Sequence, residues 1–294
     1  MNQPTLSHSR PVVAIMTDFG LGDGDVGVMK GVIATITPDV HIIDITHDVA
    51  PQNISSGAWI LASAYRYFPE NTIFVCVVDP GVGSSRKAIA LYAGDWFFVG
   101  PDNGLFSYVL AEQITHSAVI LSNSAYHLPQ VSSTFHGRDI FAPASAHLAR
   151  GIALSELGPR IDPATLVRID IAPSRRQGTH IDAHIVHIDH FGNLITNIPV
   201  TLVPELSSDP PTEQQMQILF PTLGAVVDRH KRFFAENSDA GQPFIYADSS
   251  GYVGIAMRNG NAARSIGAQF GTPITLVIAN TWSSITSQTN NHSC

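Results

Sequence analysis

The stretch Val75 to Lys87, VCVVDPGVGSSRK, constrains the fold more than any other part of the chain. An apolar, β-branched run that stops at an acid, Asp79, and then turns on Pro80, Gly81 and Gly83 reads as a buried strand. The glycine-rich loop after it lets the backbone come close to a small ligand. Arg86, seven residues beyond Asp79, returns a guanidinium toward the carboxylate and favours its charged form. This arrangement suits the holding of a polar nucleophile.

The flanking sequence supplies strands and helices in alternation. PVVAIMT (11–17) is an apolar run of strand length closed by Asp18, Phe19 and Gly20, and an amphipathic stretch follows from Val26 to Thr37. VHIIDIT (40–46) predicts another strand, SSGAWILASAYRYF a helix, Thr72–Val78 the central strand, and Ala88–Ala93 with Trp96–Gly100 a hairpin. PDNGLFSYVLAE reads as a turn into a short helix, and TFHGRD as a turn before a helix that carries Ala144, Ala146, Leu148 and Ala149. This alternation predicts an α/β domain with a largely parallel sheet covered on both faces, whose ligands collect at the carboxyl ends of the strands, where Asp18 and Asp79 stand.

Periodicity is then lost and Pro, Arg and Gly accumulate, which places a domain boundary near 172–180. Beyond it, IDAHIVHIDHFGNLITNI alternates apolar and polar residues around an FGN turn, and two more strands join through Ser-Ser-Gly. The expectation is an α/β domain over 9–172, a linker over 173–180, a smaller all-β barrel-like or sandwich domain over 181–281, and a frayed polar tail over 282–294.

Several function classes are disfavoured by composition. The net charge of −8 comes without a Lys/Arg cluster, so no nucleic-acid partner is expected. No apolar run approaches the ~18 residues of a membrane span and the N-terminus lacks a signal-peptide core, so a soluble, cytoplasmic protein is expected. Cys76 reads as a small core residue and Cys294 ends the chain, which leaves no disulfide framework. Thirteen histidines invite a metal hypothesis, yet His184 and His187 alternate across a strand and no HExxH occurs; no metal is expected. Ser84, Ser85, Ser249 and Ser250 lack a GxSxG elbow and read as turn formers or ligand donors. The glycines at 20, 22 and 24 do not have dinucleotide spacing.

Two constellations remain. Asp79, Arg86 and His136 either form a structural ion pair with an ordinary loop histidine beside it, or combine an oriented carboxylate with an imidazole able to exchange a proton with water. Asp18 either holds the two hydroxyls of a ribose or caps a helix.

TDFG (17–20), DPGVGSSR (79–86), TFHGRD (134–139), FGNLITN (191–197), and SSGY (249–252) with NGNAA (259–263) together resemble the S-adenosyl-L-methionine hydroxide adenosyltransferase family, adenosine-forming hydrolases related to fluorinating and chlorinating enzymes. The resemblance covers roughly residues 11–280. It implies S-adenosyl-L-methionine as substrate with no cofactor, and a homotrimer whose active sites lie between the N-terminal domain of one subunit and the C-terminal domain of the next. By position it assigns Asp79, Arg86 and His136 to a water or hydroxide, Asp18 to the ribose, and Asp189 and Ser249 to the methionine end. Phe191, Asn193, Phe234 and the Asn259 to Ala262 loop fall to the adenine, the loop largely through its backbone. Halogenating relatives carry tyrosine, threonine and serine where this chain has Asp79, Val82 and Gly137, which argues for water over halide; they carry tryptophan at Gln52. A non-catalytic adenosine or S-adenosylmethionine binder is the alternative; a methyltransferase is disfavoured.

Overall fold

The computed structural model describes residues 10–170, 173–207, 215–234 and 241–279. The chain divides into two compact units at Asp170/Ile171. The tail expected over 282–294 lies outside the described residues.

The first unit runs β1 (Val12–Thr17), α1 (Asp25–Ile36), β2 (His41–Thr46), α2 (Ile54–Ala64), β3 (Ile73–Val77), β4 (Ala88–Ala93), β5 (Trp96–Pro101), α3 (Ser107–Glu112), β6 (Thr115–Ile120) and α4 (Ala142–Ala149). The strands form one sheet in the order β2-β1-β3-β5-β4-β6. Alternate residues of each central strand feed two cores. Val13, Ile15, Val75 and Val77 meet α1 and α4, while Ala14, Met16, Phe74 and Cys76 meet α2 and α3. Both faces are therefore covered, which is why these strands are apolar at consecutive positions.

The sheet is mixed and only in part parallel as expected. β2, β1, β3 and β5 pair in parallel, but β4 pairs antiparallel with both β5 and β6. The cause is local: Ala93 pairs with Trp96 across a two-residue turn in which Gly94 has φ +54°, so β4 and β5 are a hairpin and β4 runs against the rest. β6 carries no strong alternation and is found only by its pairing.

The second unit contains β7 (Arg175–Gln177), β8 (His180–Ile188), β9 (Leu194–Pro199), β10 (Gln215–Phe220), β11 (Ala225–Val227), β12 (Pro243–Ala247), β13 (Tyr252–Met257), α5 (Ala262–Ile266) and β14 (Pro273–Ala279). Its strand order is β11-β10-β14-β8-β9-β13-β12, antiparallel throughout. Residues just after β11 nearly close the sheet into a barrel: the Lys231 amide donates to the Ile245 carbonyl at 2.9 Å, and the Ile245 amide to the Arg229 carbonyl at 2.7 Å. Alternate side chains, among them Ile181, Leu194, Ile218, Ile255 and Leu276, fill the interior. Within 173–180, expected as a connection, Arg175–Gln177 instead forms a strand on β8. Among the described residues no helix is long and apolar enough to cross a membrane.

Candidate active site

β1 and β3 are adjacent and parallel, with Thr17 in register with Val77. Their carboxyl ends therefore release Asp18 and Asp79 side by side. After β3 the chain makes two successive turns, with Val82 N–H donating to the Asp79 carbonyl at 3.2 Å and Ser84 N–H to the Gly81 carbonyl at 3.1 Å. Ser84 Oγ accepts from the Arg86 amide at 3.2 Å, so this serine shapes the turn. Gly83 is required here: at φ +76°, an added Cβ would stand 2.3 Å from the Ser133 carbonyl oxygen.

These turns bring Arg86 back onto Asp79. Arg86 Nε donates to both carboxylate oxygens at 3.0 Å and Nη2 to Oδ2, with the side chains 9% and 4% exposed. The guanidinium also lies 5.2 Å from the centre of the Phe141 ring. Its Nη2 is 2.8 Å from His136 Nδ1. Arginine has no acceptor, so Nδ1 accepts and the imidazole is neutral. Burial, and next the Arg86 charge, push the His136 pKa below its ordinary value, against the opposing pull of Asp79 and Asp139. The three residues grouped by sequence thus meet, but the Nδ1 lone pair is committed to Arg86 rather than free to take a proton from water.

His136 owes its place to a network built on Arg138 and Asp139 of the same TFHGRD motif, residues to which sequence alone gave no role. It precedes a π-helical turn, Gly137–Phe141, that leads into α4. The fully buried Asp139 accepts from the Ser132 amide at 2.8 Å and from Arg138 Nε at 2.6 Å. Burial opposes ionisation of Asp139, but Arg138 and Ser132 outweigh it and hold the carboxyl below the usual range.

A pocket of about 240 Å³ opens over the group, lined by Asp18, Phe19, Gln52, Asp79, Val82, Phe135, His136 and Gly137 among others. Asp18 does not cap a helix: α1 starts after Gly24 without any side-chain cap. Its Oδ2 instead accepts the Gln52 amide at 2.8 Å, which holds Gln52 in the left-handed region at φ +64°. Gly137 offers no hydroxyl to the pocket.

The C-terminal residues singled out by sequence gather in the second unit. Phe191, Asn193, Phe234 and Asn259 line a pocket of about 590 Å³ together with Gly260 of the same loop and with Met257 and Arg258, which the motifs had not marked as ligand residues. Asp189 Oδ1 accepts the amides of Phe191 and Asn193 at 2.9 and 2.8 Å, and Oδ2 the Asn193 side chain at 2.7 Å, so this acid fixes the β8–β9 turn. Phe191 is left 72% exposed at the tip of that turn. The Gly192 carbonyl accepts the Ala263 amide at 2.9 Å, locking the turn to α5. Ala262, at the start of α5, is fully buried in the barrel core and is not part of this pocket's wall. Ser249 is exposed in the β12–β13 turn.

Burial pushes the Cys76 thiol far up, in keeping with a core role. Among the described residues no group of three or more His, Cys, Asp or Glu is placed to hold a metal ion. The His184/His187 alternation is interrupted by a bulge between Ile185 and His187.

Residues 13–158 match the SAM hydroxide adenosyltransferase N-terminal domain and residues 183–275 the C-terminal domain. The chain belongs to the SAM hydroxide adenosyltransferase family. Similar members include proteins named (R)-S-adenosyl-L-methionine hydrolase from Salinispora tropica, 39% identical over 87% of this chain and 94% of that one, and from Thermus thermophilus, 34% identical over 91% and 100%. A protein named fluorinase from an Actinoplanes species is 28% identical over 93% of this chain and 99% of its own. Among solved structures, a conserved protein of Thermotoga maritima superposes with a TM-score of 0.83 at 34% identity, covering 90% of this family member and 99% of that chain.

Proposed function

We propose that this chain hydrolyses S-adenosyl-L-methionine to adenosine and L-methionine by in-line attack of an activated water on the ribose C5′ carbon. The observation that carries the reading is that Asp79 and His136, bridged by Arg86, stand on the wall of a pocket that also holds Asp18. The relatives named as hydrolases share the chain over most of its length and support it.

The chemistry asks little beyond position and an activated oxygen. The sulfonium makes C5′ electrophilic; as the O–C5′ bond forms, the C5′–S bond breaks and its electron pair neutralises sulfur. Methionine leaves without needing a proton, while the attacking water must lose one. Asp79 is the group to receive or orient that proton: a carboxylate has about four lone-pair sites, and Oδ1 is the oxygen with the fewer donors, a single one from Arg86 Nε. His136 holds Arg86 through Nδ1, and Arg86 balances charge developing on the oxygen. Holding water and C5′ as a near-attack pair supplies up to ~7–11 kcal/mol in favourable systems.

Asp18, with Oδ1 not engaged by Gln52, holds the ribose hydroxyls. Asp189 and Ser249 take the methionine end, and Phe191, Asn193, Phe234 and the Asn259 to Ala262 loop take the adenine. The 240 Å³ pocket is smaller than the ~300–1,000 Å³ that encloses ligands of this size, while further ligand-like loops stand in the second unit. The assembly proposed is the homotrimer that the family resemblance implies, in which the first unit of one subunit and the second unit of its neighbour share a substrate. The buried thiol and the absence of a cysteine framework support work in the reducing cytoplasm.

Turnover in H₂¹⁸O tests the reaction: adenosine carrying ¹⁸O at its 5′-hydroxyl plus methionine is expected. Unlabelled adenosine, or S-adenosylhomocysteine as product, overturns it. A non-catalytic binder shows no turnover at any pH. Halogenation is disfavoured because the Asp79 carboxylate faces the site and Gly137 has no hydroxyl; it requires chloride-dependent 5′-chloro-5′-deoxyadenosine. Analytical ultracentrifugation gives the subunit number.

A further inference from the structure

Behind the first pocket runs a second polar chain. Thr17, fully buried at the end of β1, has its Oγ1 2.9 Å from His47 Nδ1 and accepts the Phe19 amide at 3.3 Å. His47 is 4% exposed, and its Nε2 lies 3.1 Å from Asp44 Oδ1, at ion-pair distance but off the line of a good hydrogen bond. Asp44 Oδ2 in turn accepts from Lys30 Nζ at 2.6 Å. With Asp44 facing Nε2, the ring proton belongs there and Nδ1 accepts the Thr17 hydroxyl.

These are the residue types of a nucleophile relay, but Thr17 is wholly buried and is not part of the pocket wall, so no substrate reaches its oxygen. The network acts on the loop instead. The His47 carbonyl accepts the Gly20 amide at 2.8 Å, while its ring holds Thr17. One residue therefore ties down both ends of the Thr17–Gly20 turn, and the two residues between, Asp18 and Phe19, line the pocket. The bulge that shifts the β1–β2 register between Ile15 and Met16 is what lets His47 reach beneath Thr17.

We propose that His47, steadied by Asp44, is the positioning residue that aims the Asp18 carboxylate at the ribose. The idea rests on Asp18 being the ribose acid, and the test separates the two. Adenosine and 2′,3′-dideoxyadenosine are titrated calorimetrically against the full-length protein. A pair of hydrogen bonds to a carboxylate predicts that the wild type prefers adenosine by at least about 100-fold. His47→Gln should cut that preference at least about threefold while leaving dideoxyadenosine binding unchanged. His47→Asn, whose amide falls near the place of Nδ1, should keep more of it. Asp44→Asn changes a half-exposed side chain, folds regardless of the fate of the buried variants, and should give a smaller cut of the same kind.

If Asp18→Ala abolishes the preference while His47→Gln and Asp44→Asn both retain it in full, His47 is not the positioning residue. Equal weakening of both ligands in the His47 and Asp44 variants overturns the proposal too, since it shows only general loosening. A preference that survives Asp18→Ala removes the ribose reading itself, and the proposal with it.

Discussion

Replacing Arg86 by methionine should damage this protein twice, and the two effects can be measured apart. Methionine fills much of the volume over Phe141 but leaves the Asp79 carboxylate, only 4% exposed, without its donors. Removing one partner of a buried ion pair costs about 3–5 kcal/mol, because the remaining charge stays desolvated. For a unit of about 170 residues, at ~2–4 °C per kcal/mol, the melting transition should fall by roughly 6–20 °C. Asp79→Asn in the same chain removes the stranded charge. The double variant should therefore recover at least about 2 kcal/mol relative to the sum of the two single changes. Urea unfolding followed by tryptophan fluorescence reads this in the first unit, which contains Trp59 and Trp96. Turnover of S-adenosylmethionine should be lost in both single variants and should stay lost in the double variant, since stability returns without the groups proposed to act on the water. A drop below about 1 kcal/mol for Arg86→Met, or strictly additive losses, would show that the pair is not buried and coupled as described. Recovered turnover in the double variant would remove Asp79 and Arg86 from the chemistry.

Protonating His136 must displace Arg86 from Nδ1, so kcat/KM should fall on the acid side with a midpoint below the ordinary imidazole value of 6.5; a midpoint at or above 6.5 counts against the neutral, Arg86-bound ring. The same sign applies to stability. The pKa values of His127, His136, His147 and His187 are all depressed, first by burial, so stability present above 6.5 should be lost progressively as pH drops through the folded-state values, and flat stability across that window would refute it. Gly83→Ala combines a left-handed residue with a contact against the Ser133 carbonyl; it should destabilise by about 2–4 kcal/mol and lower kcat, because the obstructed backbone lies just before His136. Gln52→Gly relieves backbone strain while removing pocket wall, so stability should hold or rise by up to about 1 kcal/mol as KM increases; a clear loss of stability would mean the φ +64° conformation is not strained.

What could be read from the chain alone was whatever is written in contiguous residues. Consecutive apolar positions in Val12–Thr17 and Ile73–Val77 announce strands buried on both faces, and the acids that end them announce the loops. The FGN and Ser-Ser-Gly turns announce the change to antiparallel β structure, since a side-chain period of two and left-handed glycines are local properties. The motifs even assembled a trio whose members span 57 positions, from Asp79 to His136. Pairing partners are another matter. That β4 reverses the sheet and that a segment after β11 closes the barrel depend on which strands find each other, and edge or short strands carry little signal of their own. The fate of each lone pair likewise needed three dimensions. The sequence allowed His136 to act as a base and Asp18 as a helix cap; the folded chain commits Nδ1 of the first to Arg86 and Oδ2 of the second to Gln52. Hydrogen bonds are decided over a few tenths of an ångström between residues far apart in the chain, and no local pattern encodes that distance.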